Sequence, residues 1–102
     1  MTFFRGRYKE KKTFFMEKAT LVKNELGMHA RPAGVIAKIA ITAQDEIRLC
    51  VNSDKVDATS IIDILTLGAV KGTKVVVEIE NQEDVAILNQ IINFFEAGFE
   101  EM

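Results

Sequence analysis

The sequence predicts an α+β open-faced sandwich, four strands in one sheet with three helices on one of its faces. Three observations predict it. Four short runs of alternating or β-branched residues are separated by three stretches whose apolar residues recur at helical spacing. Their order is strand, helix, strand, strand, helix, strand, helix, which suits an open sheet with helices packed on one side. The chain has 102 residues, 48% of them apolar, enough for one core and one domain.

Residues 17–23 (EKATLVK) alternate weakly and form the first strand. In the following NELGMHARPAG, Gly27 and Pro32 mark a strand-to-helix turn. Pro32 suits the first turn of a helix, where a missing N–H costs nothing. Ala33, Ile36, Ala37 and Ala40 then recur at helical spacing, so the first helix spans about 30–41. Gly34 costs that helix ~1 kcal/mol against alanine, which suggests close approach by something else.

Residues 46–51 form the second strand, and Asn52-Ser53-Asp54 turns tightly into a short third strand at 55–57. Ser60-Ile61-Ile62-Asp63 matches a capping box, with Ser60 as the N-cap of a short second helix that stops at Gly68. The β-branched run 73–80 (TKVVVEIE) is the fourth strand. Asn81 caps a last helix over 82–97, with Val85, Leu88, Ile91, Ile92 and Phe95 as its apolar face and Gly98 as its end.

Residues 1–15 lack a periodic apolar face and are read as a poorly ordered basic tail ahead of a domain at 16–102. Arg5, Arg7, Lys9, Lys11 and Lys12 outweigh Glu10 there, giving +4, while the remainder carries −6. A basic tail can serve as a nucleic-acid arm or as a solvated extension. The body is acidic, Tyr8 is the one tyrosine and lies outside it, and no strand pairs aromatics for base stacking. Nucleic acid is therefore not expected as a partner. No segment has the roughly 18 continuous apolar residues of a membrane helix, and the N-terminus lacks the apolar stretch of an export signal. With a single cysteine, Cys50, in an apolar run, these features predict a cytoplasmic, reduced protein whose thiol is buried and inert. One histidine and one cysteine in separate elements cannot close a metal site, and no cofactor is expected.

His29, the one histidine, stands at the mouth of the first helix. A helix N-terminus presents unpaired amides and the positive end of the macrodipole, and both favour the neutral imidazole whose lone pair can attack phosphorus. The same amides and the Arg31 guanidinium would receive the oxygens of a phosphoryl group. Read from the residues alone, a histidine at a helix start also serves as a cap or a plain surface residue.

The segment Gly27-Met28-His29-Ala30-Arg31-Pro32 resembles the active-site signature of the HPr family, the histidine-containing phosphocarriers of the phosphoenolpyruvate-dependent sugar phosphotransferase system. Ser60-Ile61-Ile62 followed by Leu67-Gly68 is similar to that family's second signature, and the likeness covers 17–99. The resemblance implies the family fold, an open-faced sandwich whose four strands are antiparallel. It implies a phosphoryl carrier rather than an enzyme, with His29 filled by enzyme I and emptied to an enzyme IIA protein. Arg31 would be the phosphate-binding partner, and Met28, Gly34, Ile61, Ile62 and Leu65 an apolar docking patch, although Ile61, Ile62 and Leu65 suit core packing equally well. Ser60 falls on the serine that a dedicated kinase modifies in some members, which adds a serine kinase/phosphorylase or a transcription regulator as possible partners of a monomer. Thr59 in place of the family's frequent lysine and the anionic Asp63 depart from that pattern, and residues 1–15 have no counterpart in it. The alternative within this resemblance is a regulatory module, of the nitrogen type or for catabolite control, that feeds no sugar transporter.

Overall fold

The alternation of Val75, Val77 and Ile79, all fully buried, sets the inner face of the sheet. A computed structural model describes residues 14–101. Its strands are β1 (Met16–Leu21), β2 (Ile47–Val51), β3 (Asp54–Asp57) and β4 (Lys74–Ile79), in the order β1-β4-β2-β3, every neighbour antiparallel. Helices α1 (Ala30–Ala40), α2 (Ile61–Thr66) and α3 (Val85–Glu96) cover one face. The predicted open-faced sandwich is the observed fold, with element ends within two residues of expectation except at the start of α3, which lies three residues later. Residues 1–13 of the expected tail lie outside the described residues; Phe14 packs against the edge of the core and Phe15 is exposed.

The weak alternation of β1 has a physical reason. Two of its three inner positions are polar, because Lys18 lies opposite Val77 and Thr20 opposite Val75, while Met16 opposite Ile79 packs against the core. Their side chains reach α3: Lys18 Nζ donates to Asn89 Oδ1 at 2.5 Å, and Thr20 Oγ1 donates to Glu96 Oε2 at 2.7 Å. This edge is held by hydrogen bonds where the centre is held by apolar burial.

The last helix differs from its expected form at both ends. Asn81 does cap it, accepting the amide of Glu83 at 2.8 Å, but the first turn, Gln82–Asp84, is a 3₁₀ helix. That tighter turn buries the Asp84 carboxylate, which accepts the amides of Gln44 (2.8 Å) and Asp45 (3.0 Å) and so ties the loop after α1 to the start of α3. At the other end Gly98, Phe99 and Glu100 all take positive φ, near 60°. A non-glycine residue there costs roughly 1–2 kcal/mol, offset by burying the Phe99 ring, fully enclosed 5.0 Å from Phe95 and 5.1 Å from Phe94. The chain thereby doubles back toward α1.

On the open face of the sheet Arg48 bonds Glu78 (3.0 Å) and Glu80 (2.5 Å), while Lys55 pairs with Glu78 at 3.0 Å. Cys50 lies beside them, buried as expected. Burial, with Glu78 adding to it, pushes its thiol up to about 11, so it stays protonated and unreactive near neutrality. Among the described residues no helix is long and apolar enough to cross a membrane.

Candidate functional site

Gly27, at φ +71°, turns the chain from β1 into α1, and the Met28 amide then donates to Ala69 O at 2.9 Å. His29 follows as the N-cap residue of α1 with an extended backbone (φ −111°, ψ −173°) and no side-chain capping bond. Its carbonyl accepts the amide of Ala33 at 3.1 Å. Pro32 has no amide, so the N–H groups of Ala30 and Arg31 are the donors at the helix mouth. The imidazole is about one-third exposed, open to an approaching partner.

Arg31 and His29 converge on a residue that the sequence did not suggest. Glu101 Oε2 lies 2.8 Å from His29 Nε2 and accepts from Arg31 Nε at 2.9 Å. Arg31 Nη2 donates to Phe99 O at 2.5 Å, so the doubled-back terminus supplies two acceptors to one guanidinium. Asn24, almost fully buried in the turn after β1, donates from Nδ2 to Glu101 Oε1 at 2.7 Å and to Gly27 O at 2.9 Å. Arg31 chiefly, with Asn24 and His29 adding, holds the Glu101 carboxyl down at about 2 against a smaller opposing effect of burial. An anion thus rests between the histidine and the arginine, where the sequence reading expected phosphoryl oxygens. No local motif announces this, since Glu101 lies 70 residues or more beyond its partners.

The second region also takes shape. Ser60 is the N-cap of α2, its Oγ accepting the Asp63 amide at 3.2 Å. The reciprocal half of a capping box is not formed: the Ser60 amide donates to Asp57 O at 3.1 Å instead. α2 turns Ile64 into the core and leaves Ile61, Ile62 and Leu65 exposed, Ile62 to 75%. Core packing is therefore the task of Ile64. Met28 belongs to the core, and Gly34 lies on α1 facing Ile61. Leu26 and Val70, which the sequence reading passed over, are exposed on the two segments that meet at Gly27.

The family model described as "PTS HPr component phosphorylation site" matches residues 16–97, which contain both His29 and Ser60. This chain belongs to the HPr family. It is a phosphotransferase-system phosphocarrier by that membership, as the sequence resemblance implied. A phosphocarrier protein HPr of Chlamydia pneumoniae is 34% identical over 87 residues, spanning 85% of this chain and 81% of the relative. A phosphocarrier protein NPr of Klebsiella oxytoca is 35% identical over 81 residues, spanning 78% of this chain and 90% of that one. Among solved HPr structures, HPr-C-His from Thermoanaerobacter tengcongensis superposes with a TM-score of 0.79 at 29% identity, covering 85% of this chain and 98% of its own.

Proposed function

We propose that this HPr-family chain accepts a phosphoryl group from enzyme I on His29 and passes it to an enzyme IIA protein, acting as a carrier with no turnover of its own. The observation that carries the reading is the convergence at the mouth of α1: a one-third-exposed imidazole and the Arg31 guanidinium border one anion-holding space, at a helix start whose first amides have no partner within the helix. Such a space stabilises transferred phosphoryl oxygens through charge-assisted hydrogen bonds while leaving them open to the next acceptor. Ile61, Ile62 and Leu65, with Leu26 and Val70, form the exposed apolar surface on which both partners would dock in turn. We place the protein in the cytoplasm as a monomer.

Relatives named NPr stand beside those named HPr at similar identity. They support a second reading in which the receiving partner is regulatory rather than part of a sugar transporter. The same chemistry at His29 serves either.

Incubation with enzyme I, labelled phosphoenolpyruvate and magnesium tests the proposal. An acid-labile phosphoryl group is expected on the protein and not on His29→Ala, which should keep its fold because the side chain faces outward. Arg31→Ala should accept phosphoryl more slowly, since it loses charge-assisted bonds but keeps the nucleophile. Label on His29→Ala would overturn the assignment of the acceptor.

A further inference from the structure

We propose that Glu101 is a positioning residue for His29: its carboxylate takes the hydrogen bond of Nε2–H, fixes the imidazole in that tautomer, and so leaves Nδ1 as the nitrogen that bonds phosphorus. The first part stands on geometry alone, and the last clause rests on the carrier reading above. Glu101 Oε2 is 2.8 Å from His29 Nε2, within hydrogen-bond reach. A carboxylate ionised near neutrality can only accept, so Nε2 must donate. In a neutral imidazole the proton on one nitrogen puts the lone pair on the other, here Nδ1.

The carboxylate is itself firmly placed. Arg31 Nε donates to the same oxygen at 2.9 Å, and Asn24 Nδ2 donates to the other at 2.7 Å. Asn24 cannot turn its amide over, because both groups facing Nδ2, Gly27 O and Glu101 Oε1, are acceptors. Buried Phe99 anchors the left-handed turn that delivers Glu101. The ring is therefore oriented from the far end of the chain, 72 residues away.

The transfer step then balances without a proton entering or leaving. The lone pair of Nδ1 forms the new N–P bond as the donor's bond to phosphorus breaks and its electron pair returns to the donor. The ring, substituted at Nδ1 and still carrying Nε2–H, becomes cationic, and that charge faces the Glu101 carboxylate. In delivery the events reverse and neutral imidazole leaves with Nε2–H intact.

Long-range ¹H–¹⁵N spectra of the ¹⁵N-labelled full chain read which ring nitrogen holds the proton. Recorded about two units above the ordinary histidine pKa, they should show His29 as the Nε2–H form. Removing a hydrogen bond to a charged group should shift the tautomer ratio toward Nδ1–H by about tenfold or more in Glu101→Ala, and by less in Glu101→Gln, which keeps an acceptor oxygen. The rate of phosphoryl uptake from enzyme I should fall in the same order, with all three proteins folded at the assay temperature. An Nδ1–H form in the unaltered protein, or a ratio in Glu101→Ala equal to that of the unaltered protein, would overturn the proposal. If the tautomer shifts as expected but the unaltered protein takes no phosphoryl, the carrier reading falls and the positioning of the ring stands.

Discussion

A Cβ placed on Gly27 would lie 2.8 Å from the carbonyl oxygen of Ala69, closer than side-chain carbons approach backbone oxygens, and 3.1 Å from Val70 Cα. The same carbonyl accepts the Met28 amide, so it cannot withdraw without losing the bond that sets the height of the histidine turn. Gly27 also has φ +71°. Gly27→Ala should therefore destabilise the fold by roughly 2–4 kcal/mol, the left-handed penalty and the clash together. Urea unfolding measures it. A loss below about 0.5 kcal/mol would mean that the turn relaxes more freely than this packing implies.

Gly34 behaves in the opposite sense. A Cβ there meets Ile61 Cδ1 at 3.8 Å, an ordinary contact, and the backbone is helical. Nothing within the described chain demands glycine, so Gly34→Ala should stabilise α1 by up to ~1 kcal/mol. The close approach inferred from the sequence must then come from a partner. Gly34→Ala should accordingly raise the melting temperature yet slow phosphoryl uptake by raising the apparent KM for enzyme I. An unchanged KM would remove Gly34 from the docking surface.

These two glycines show what a sequence discloses and what it withholds. Element order was legible because it depends on local periods and on punctuating residues, such as Pro32, Gly68 and Gly98, whose backbone demands are intrinsic. His29 and Arg31 were legible because the signature that carries them is contiguous. Asp84 and Glu101 were not, since each acts on backbone or side chains 39 to 77 residues away and leaves no periodic trace. Met28 misled for a related reason. The family resemblance placed it on the docking patch, but the Gly27 turn directs it into the core, and that rotation depends on Ala69 across the fold.

Acid should release the terminal clasp. The Glu101 carboxyl is held at about 2, chiefly by Arg31, against an ordinary value of 4.5. A group with a depressed folded-state value stabilises the fold above its unfolded value, and that contribution is lost as pH falls toward the folded one. The difference in melting temperature between the unaltered protein and Glu101→Gln should be constant near neutrality and close as pH falls from about 4.5 to about 2. A difference that instead grew in acid would contradict an ionised Glu101 in the folded state.

Ser60 is the cap of α2, and a regulatory phosphoryl group on it is the weaker of two expectations. Its hydroxyl accepts the Asp63 amide, and replacing such a cap by alanine costs ~1 kcal/mol. Ser60→Ala should lower stability by that amount without touching phosphorylation of His29. A phosphoryl group on Ser60 would gain from the same amide, but it would stand in one turn with the Asp63 carboxylate, whose repulsion offsets part of the gain. Because Asp63 makes no reciprocal bond to the Ser60 amide, which is given to Asp57, Asp63→Asn removes that repulsion while leaving the cap in place. About two negative charges would then border exposed Ile61, Ile62 and Leu65, a surface otherwise suited to apolar contact, and enzyme I should bind more weakly. Intact-mass analysis of protein from its native host decides between the roles. A stoichiometric acid-stable phosphate on Ser60 would overturn the ranking, whereas its absence across growth conditions, with the stability loss of Ser60→Ala as stated, assigns Ser60 to structure.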